Sequence, residues 1–289
     1  MNEYRIMTDS SADIPQEHFD RDRISIIPMP LQVNGEDVVH ESPCGWESKA
    51  FYERLRGGAT GNTSQIPPAV YVTWFEEVLK EGKDILYISL SGGLSATWQS
   101  ASLAAAQLLE KYPERRIACV DSRAATGGQG LLVIYGLENQ KNGMSLEENA
   151  RWLEENRNRI CHWFTVDDLD FLKRGGRISP TIAWIGGKLK IKPVLRIQED
   201  GTLSIMEKVR GAKAAAGCIC KKYLASGYDS EHPYVLICHG DAEEQAEGIK
   251  EEILLAIPQA KVYTMPMGPV IGIHTGPGVQ AVIYFGNNR

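Results

Sequence analysis

Three short apolar runs, Tyr4–Thr8, Asp84–Leu90 and Arg116–Val120, each end in a turn rich in Ser, Asp or Gly. Helical patterns lie between them, and strands alternating with helices at this spacing imply a mostly parallel sheet covered on both faces. Ligands bind such sheets at the carboxyl ends of the strands. The turns Asp9-Ser10-Ser11, Ser91-Gly92-Gly93-Leu94-Ser95 and Asp121-Ser122 are therefore expected to share one rim. Asp and Ser are also favoured helix N-caps, so the pattern alone names no ligand.

Around these runs the first half reads as further local structure. Ile24–Val33 and Asp37–His40 look like strands joined at Asn34-Gly35, a type I′ hairpin signal. "WESKAFYERLRGG" is an amphipathic helix ending in Gly, and Pro67-Pro68 opens another that runs to about Gly82. Helices are expected over Leu94–Lys111, from "GGQG" to about Asn142, and over Ser145–Asn156. "GNTSQIPP" reads as a polar loop before a helix.

After about residue 159 the texture changes. Strands are expected at Ile160–Val166, Tyr234–Cys238, Lys261–Met265 and Val279–Phe285, with a hairpin turning at Asp200-Gly201. Helices are expected within "DDLDFLKRGG", over Ser179–Leu189, Ala212–Ser226 and Ala242–Ile257. The glycine-rich segment around His274 reads as a loop between the last two strands. The expected class is α/β: an N-terminal α/β/α domain with a mostly parallel sheet over 1–159, and a C-terminal two-layer α/β domain with a mixed sheet over 160–289.

Composition narrows the function classes. A 289-residue chain with 43% hydrophobic and 24% charged residues is that of a globular protein of one large or two ordinary domains. Its net charge of −6 disfavours nucleic acid and anionic membranes, which call for clustered Lys and Arg. Cys44, Cys119, Cys161, Cys218, Cys220 and Cys238 show no CxxC pair and no zinc spacing, so reduced thiols and no metal are expected. The N-terminus lacks a signal-peptide core. The longest stretch without Asp, Glu, Lys or Arg, Val262–Asn288, is too rich in Gly and Pro to read as a membrane span. The cytoplasm is the expected compartment.

"ISLSGGLSATWQSA" (88–101) carries the sharpest chemical signal. It is neither GxxxxGK[ST] nor GxGxxG, and no lysine follows to grip a terminal phosphate, which argues against a nucleotide site. Ser95 stands on a strand-to-helix turn and His274 lies far downstream, the order of an α/β-hydrolase. Yet Thr97 occupies the place where a nucleophile elbow needs a small residue, and an HGGG-type oxyanion loop is missing. A serine esterase using Ser95 and His274 is the alternative reading, and a structural or regulatory module is a third. A remaining option is a seat for a carboxylate, with Thr63 and Ser64 in one polar loop and His274 between Gly272 and Gly276.

"TDSSADIP", "TSQIPP", "SGGLSATWQSA", "DSRAATGGQG", "FLKRGGRIS", "IKPVL" and "GPVIGIHTGPG" occur in the order and approximate spacing of the DegV family, from residue 8 to residue 278. The chain resembles that family along essentially its whole length. The resemblance implies a bacterial fatty-acid-binding protein with two α/β domains (the EDD fold) and a long-chain acyl group buried between them. It implies no cofactor and no catalysis by the chain itself. Its role would be that of an acyl-carrying subunit of fatty acid kinase, whose separate ATP-binding subunit forms the acyl phosphate. Carried over by motif, Thr63, Ser95 and His274 would hold the carboxylate, with Ser64 a weaker candidate, and Arg174 and Arg177 would lie at the mouth where the kinase subunit docks. Ile182, Trp184 and Ile185 are candidates to line the acyl tunnel, whereas Trp98, within "SGGLSATWQSA", is left open to either face. The family commonly has Gly where this chain has Ala96, a methyl that a right-handed backbone accepts and a left-handed one does not.

Overall fold

The computed structural model describes residues 3–40, 46–179 and 191–286. Cys44, Ile182, Trp184 and Ile185 lie outside the described residues, as does the helix read over 179–189 apart from Ser179.

Four strands, β1 (Tyr4–Asp9), β2 (Ile24–Ile27), β6 (Asp84–Ser89) and β7 (Ile117–Asp121), form an all-parallel sheet in the order β2-β1-β6-β7. The expected single strand Ile24–Val33 is broken. Pro28 and Pro30 lack backbone donors, and after them β3 (Leu31–Val33) leaves for a second, three-stranded sheet. There it pairs antiparallel with β4 (Glu36–Asp37) and with β5 (Gly61–Thr63). The β3–β4 turn has positive φ at both Asn34 (53°) and Gly35 (81°), as a type I′ turn requires. The "GNTSQIPP" segment is thus strand at its start rather than loop. It is polar and mostly exposed, so it carries no apolar alternation to signal pairing.

A six-stranded mixed sheet has the order β10-β9-β8-β13-β11-β12. Its strands are β8 (Ile160–Thr165), β9 (Ile191–Ile197), β10 (Leu203–Arg210), β11 (Tyr234–His239), β12 (Lys261–Pro266) and β13 (Gln280–Phe285). Only β11 and β12 run parallel; the other neighbours are antiparallel.

Helices α1 (Ser48–Arg56), α2 (Pro68–Lys80), α3 (Thr97–Lys111), α4 (Gly127–Lys141) and α5 (Leu146–Asn156) precede β8; α6 (Asp170–Arg174), α7 (Ala212–Ser226), α8 (Glu243–Ala256) and α9 (Pro269–Thr275) follow it. Ser145 caps α5 with a complete capping box to Glu148. α2 and α3 pack on one face of the parallel sheet, α7 and α8 on one face of the mixed sheet, and α4 touches strands of both sheets. α4 is buried from Gly127 through Leu137, because its sequence "GGQGLLVIYGL" is small or apolar apart from Gln129, whose amide donates to Thr8 and Asp9. Its glycines allow that approach. A Cβ at Gly128 would overlap the His162 ring of β8, and one at Gly130 would overlap the Asp13 carbonyl. One apolar cluster consequently runs from β1 and β6 through α4 to β8, β11 and β13.

The segment around His274 is a helix, α9, rather than a loop. Pro269 opens it, where a missing N–H costs nothing, and Gly276 (φ 76°) ends it. Gly272 inside it faces the Tyr52 hydroxyl, leaving no room for a side chain.

Candidate functional site

Between the two larger sheets lies a cavity whose wall is mainly apolar, as the walls of small-molecule sites are. Leu90, Leu94 and Ser95 reach it from the turn after β6, Ala125 and Thr126 from the turn before α4, and His162, Phe164, Ala281 and Ile283 from the mixed sheet. Met267, Val270, Ile271, His274 and Thr275 come from α9 and its approach, Ile197 and Leu203 from the β9–β10 hairpin, and Thr63 and Arg177 complete one polar corner.

That corner is built by backbone pairing. Thr63 stands opposite Leu31 in the β3–β5 ladder, which brings its Oγ1 to 2.7 Å from Nε2 of His274 near the end of α9. The other ring nitrogen, Nδ1, faces Gly175, where a Cβ would overlap it. Burial, with the Arg177 charge as a smaller cause, lowers the His274 pKa to about 4, so the ring is neutral near pH 7. Burial likewise pulls the Arg177 guanidinium down. Its Nε donates to the Leu94 carbonyl (3.1 Å) and its Nη1 to that of Gly175, which ties the "RGGRIS" turn to the Ser95 turn.

Ser95 sits before α3 rather than inside it, since the helix begins at Thr97 and not at the expected Leu94. Its amide donates to Ser91 O (3.1 Å) and its Oγ lies 2.7 Å from Thr97 Oγ1. Ala96 has φ −77° and ψ 15°, so the methyl that departs from the family pattern is unstrained. No hydrogen bond joins Ser95 to His274 among the described residues; each hydroxyl or ring nitrogen is instead bonded to a threonine. A nucleophile–base pair is not assembled.

The structure thus brings Thr63, Ser95 and His274 to one cavity together with Arg177, and leaves Ser64 and Arg174 outside it. Ser64 is exposed, its amide donating to the Pro30 carbonyl. Arg174 is exposed and rests over the Phe171 ring at 4.5 Å. Trp98 turns away and donates to Cys119 O (3.0 Å). The shared rim of Ser and Asp exists, but most of it is internal scaffolding. Asp9 accepts from Tyr87, Leu90 and Gln129, Ser10 from Met29, and Asp121 from Gly92 and Arg123. Sequence reasoning missed Thr126 and His162 as wall residues; "ATGGQG" flagged the first, whereas nothing local marks a histidine on a buried strand.

The DegV family, described as an uncharacterised protein family, matches residues 3–287. The chain is 39% identical over 289 residues to the DegV domain-containing protein CPE0026 of Clostridium perfringens, covering 100% of this chain and 99% of that one. Among solved structures, a DegV family protein from Thermus thermophilus described for its fatty acid binding superposes with a TM-score of 0.84 at 30% identity, over 99% and 100% of the two chains. The fatty acid kinase B3 protein of Streptococcus pneumoniae, solved loaded with linoleic acid, shares the fold at a TM-score of 0.84 and 24% identity, over 99% and 100%. Among the described residues no helix is long and apolar enough to cross a membrane.

Proposed function

The chain belongs to the DegV family, and on that premise we propose that it binds a long-chain fatty acid, with the acyl chain in the cavity and the carboxylate at Thr63, Ser95 and His274. The observation that carries this reading is a mainly apolar cavity with a compact polar corner, where a neutral imidazole and a hydroxyl already stand 2.7 Å apart. A buried carboxylate needs donors. Two hydroxyls and an imidazole supply them, with the Arg177 guanidinium beside them to offset the charge.

Magnitudes are consistent with tight binding. On the order of fourteen methylenes at about 0.8 kcal/mol each give roughly 11 kcal/mol gross, and ordering costs take part of it. The finer reading is a carrier made of units 1–159 and 160–289 that meet at the cavity and present the acid to a separate ATP-binding kinase subunit in the cytoplasm. Exposed Arg174 and the "RGGRIS" turn beside His274 support docking at that corner.

Denaturing the purified protein and identifying released molecules by mass spectrometry tests the core of this reading. A stoichiometric long-chain fatty acid is the expected result. Absence of lipid, together with no uptake of added oleate, would reject it. For the finer reading, Arg174→Glu is expected to abolish acyl phosphorylation by the kinase subunit while lipid binding persists.

A further inference from the structure

"TDSSADIP" contains a carboxylate that the site described above does not use. Asp13, in the loop after β1, is buried to 2% exposure. Its Oδ1 accepts the amide of Gly268 (3.0 Å), the N-cap of α9, and its Oδ2 accepts the hydroxyl of Thr126, the N-cap of α4. We propose that Asp13 is the positioning residue for His274, locking the start of α9 to the start of α4 so that the imidazole is aimed at the polar corner of the cavity. The proposal rests on the fatty-acid reading for its binding readout.

The geometry makes this one carboxylate a joint between two cavity walls. Met267, just before Gly268, donates its amide to His239 O (2.7 Å) and accepts the Tyr52 hydroxyl on its carbonyl (2.7 Å). With Gly268 held by Asp13, the entry to α9 is fixed on three sides. His274 lies at the far end of this two-turn helix, so a tilt at its start displaces the ring. Thr126 has φ 49° and ψ −133°, a conformation a β-branched residue adopts only when its surroundings impose it. Its amide bonds Ser11 O and its hydroxyl bonds Asp13.

Among the described residues, the groups facing this carboxylate do not neutralise it. His40 stands near Gly268 and is held neutral by burial, with a pKa of about 4; the Cys238 thiol is pushed up to about 12 and the Tyr52 hydroxyl well above its usual value. Burial raises Asp13 itself to about 6. A desolvated charge without a cationic partner costs stability, which suits a residue retained for placement.

The test compares wild type with Asp13→Ala and Gly268→Ala. The first removes both acceptors, whereas asparagine would keep Oδ1 on Gly268 and turn its amide to the Thr126 hydroxyl. The second keeps a φ of −58° that alanine accepts, and sets a methyl 2.5 Å from Asp13 Oδ1, pushing the carboxylate away. Affinity is measured for oleate and for oleyl alcohol, alongside thermal melts at neutral pH and the His274 ring signals by NMR in the ligand-free protein. Both variants are expected to bind oleate about tenfold more weakly, with oleyl alcohol far less affected, and the His274 signals should move. Unchanged oleate affinity in Asp13→Ala, or an equal loss for oleyl alcohol, overturns the proposal. If one variant fails to fold, the other decides. If wild type binds no oleate, the fatty-acid reading falls separately, and the ring signals still decide: unmoved, they overturn the positioning role.

Discussion

At neutral pH the His274 ring is uncharged, with a single N–H, since burial and Arg177 hold its pKa near 4. A carboxylate arriving beside it favours the charged form and raises that value. Binding between about pH 4 and 7 is therefore expected to take up protons. Calorimetric titration with oleate in buffers of different ionisation enthalpy would show it, and His274→Asn should remove the uptake; buffer-independent heats would contradict the assignment. Asp13 makes an opposite pH signature in the free protein. Its pKa is raised from 3.8 to about 6, so between those values the folded state holds a proton the unfolded state has released. Its stabilising share is complete below about pH 4 and is lost as pH rises through about 6, on the order of 3 kcal/mol. Asp13→Asn should flatten that part of the stability–pH curve, read from urea midpoints. The sequence singled out Ser95 and His274 mainly through the family resemblance, their turn and glycine context being modest signals by themselves. It could not announce the Thr63–His274 bond, which joins positions 211 residues apart through a ladder on a short polar strand.

Among the elements, α4 sets the architecture. A helix pattern was legible over it, but its apolar residues lie on all sides, so periodicity alone could not say that it would be packed between two sheets. Its glycines separate two demands. At Gly130 an added Cβ meets the fixed carbonyl of Asp13, whereas at Gly136 the nearest atom is a flexible Ile88 methyl at 3.4 Å. Gly130→Ala is expected to destabilise by about 1–3 kcal/mol through overpacking. Gly136→Ala should stabilise by about 0.5–1 kcal/mol through helix propensity. Denaturant midpoints of the two variants moving in the same direction would show that α4 is not clamped as described. Strands fared better in the sequence than α9 did. Alternating or continuous apolar runs mark a strand directly, while Gly and Pro in "GPVIGIHTGPG" disguised a helix whose proline opens it and whose interior glycine makes room for Tyr52.

For the whole molecule, the apolar cluster shared by both sheets means that neither sheet is buried without the other. Thermal unfolding is expected as one transition, and oleate at a hundred times its Kd should add about 2.7 kcal/mol to stability. Two resolved transitions, or no shift with ligand, would count against a common core around the cavity. On the fatty-acid reading, the bound acid packs against both sheets within that cavity. A lipid held there would add apolar contacts to both sheets at once. Changes of about 1–2 kcal/mol alter how much of a protein survives cellular proteolysis. On the fatty-acid reading, the cellular level of this protein should follow its lipid supply: scarce acid would leave more of it to proteolysis, and plentiful acid less.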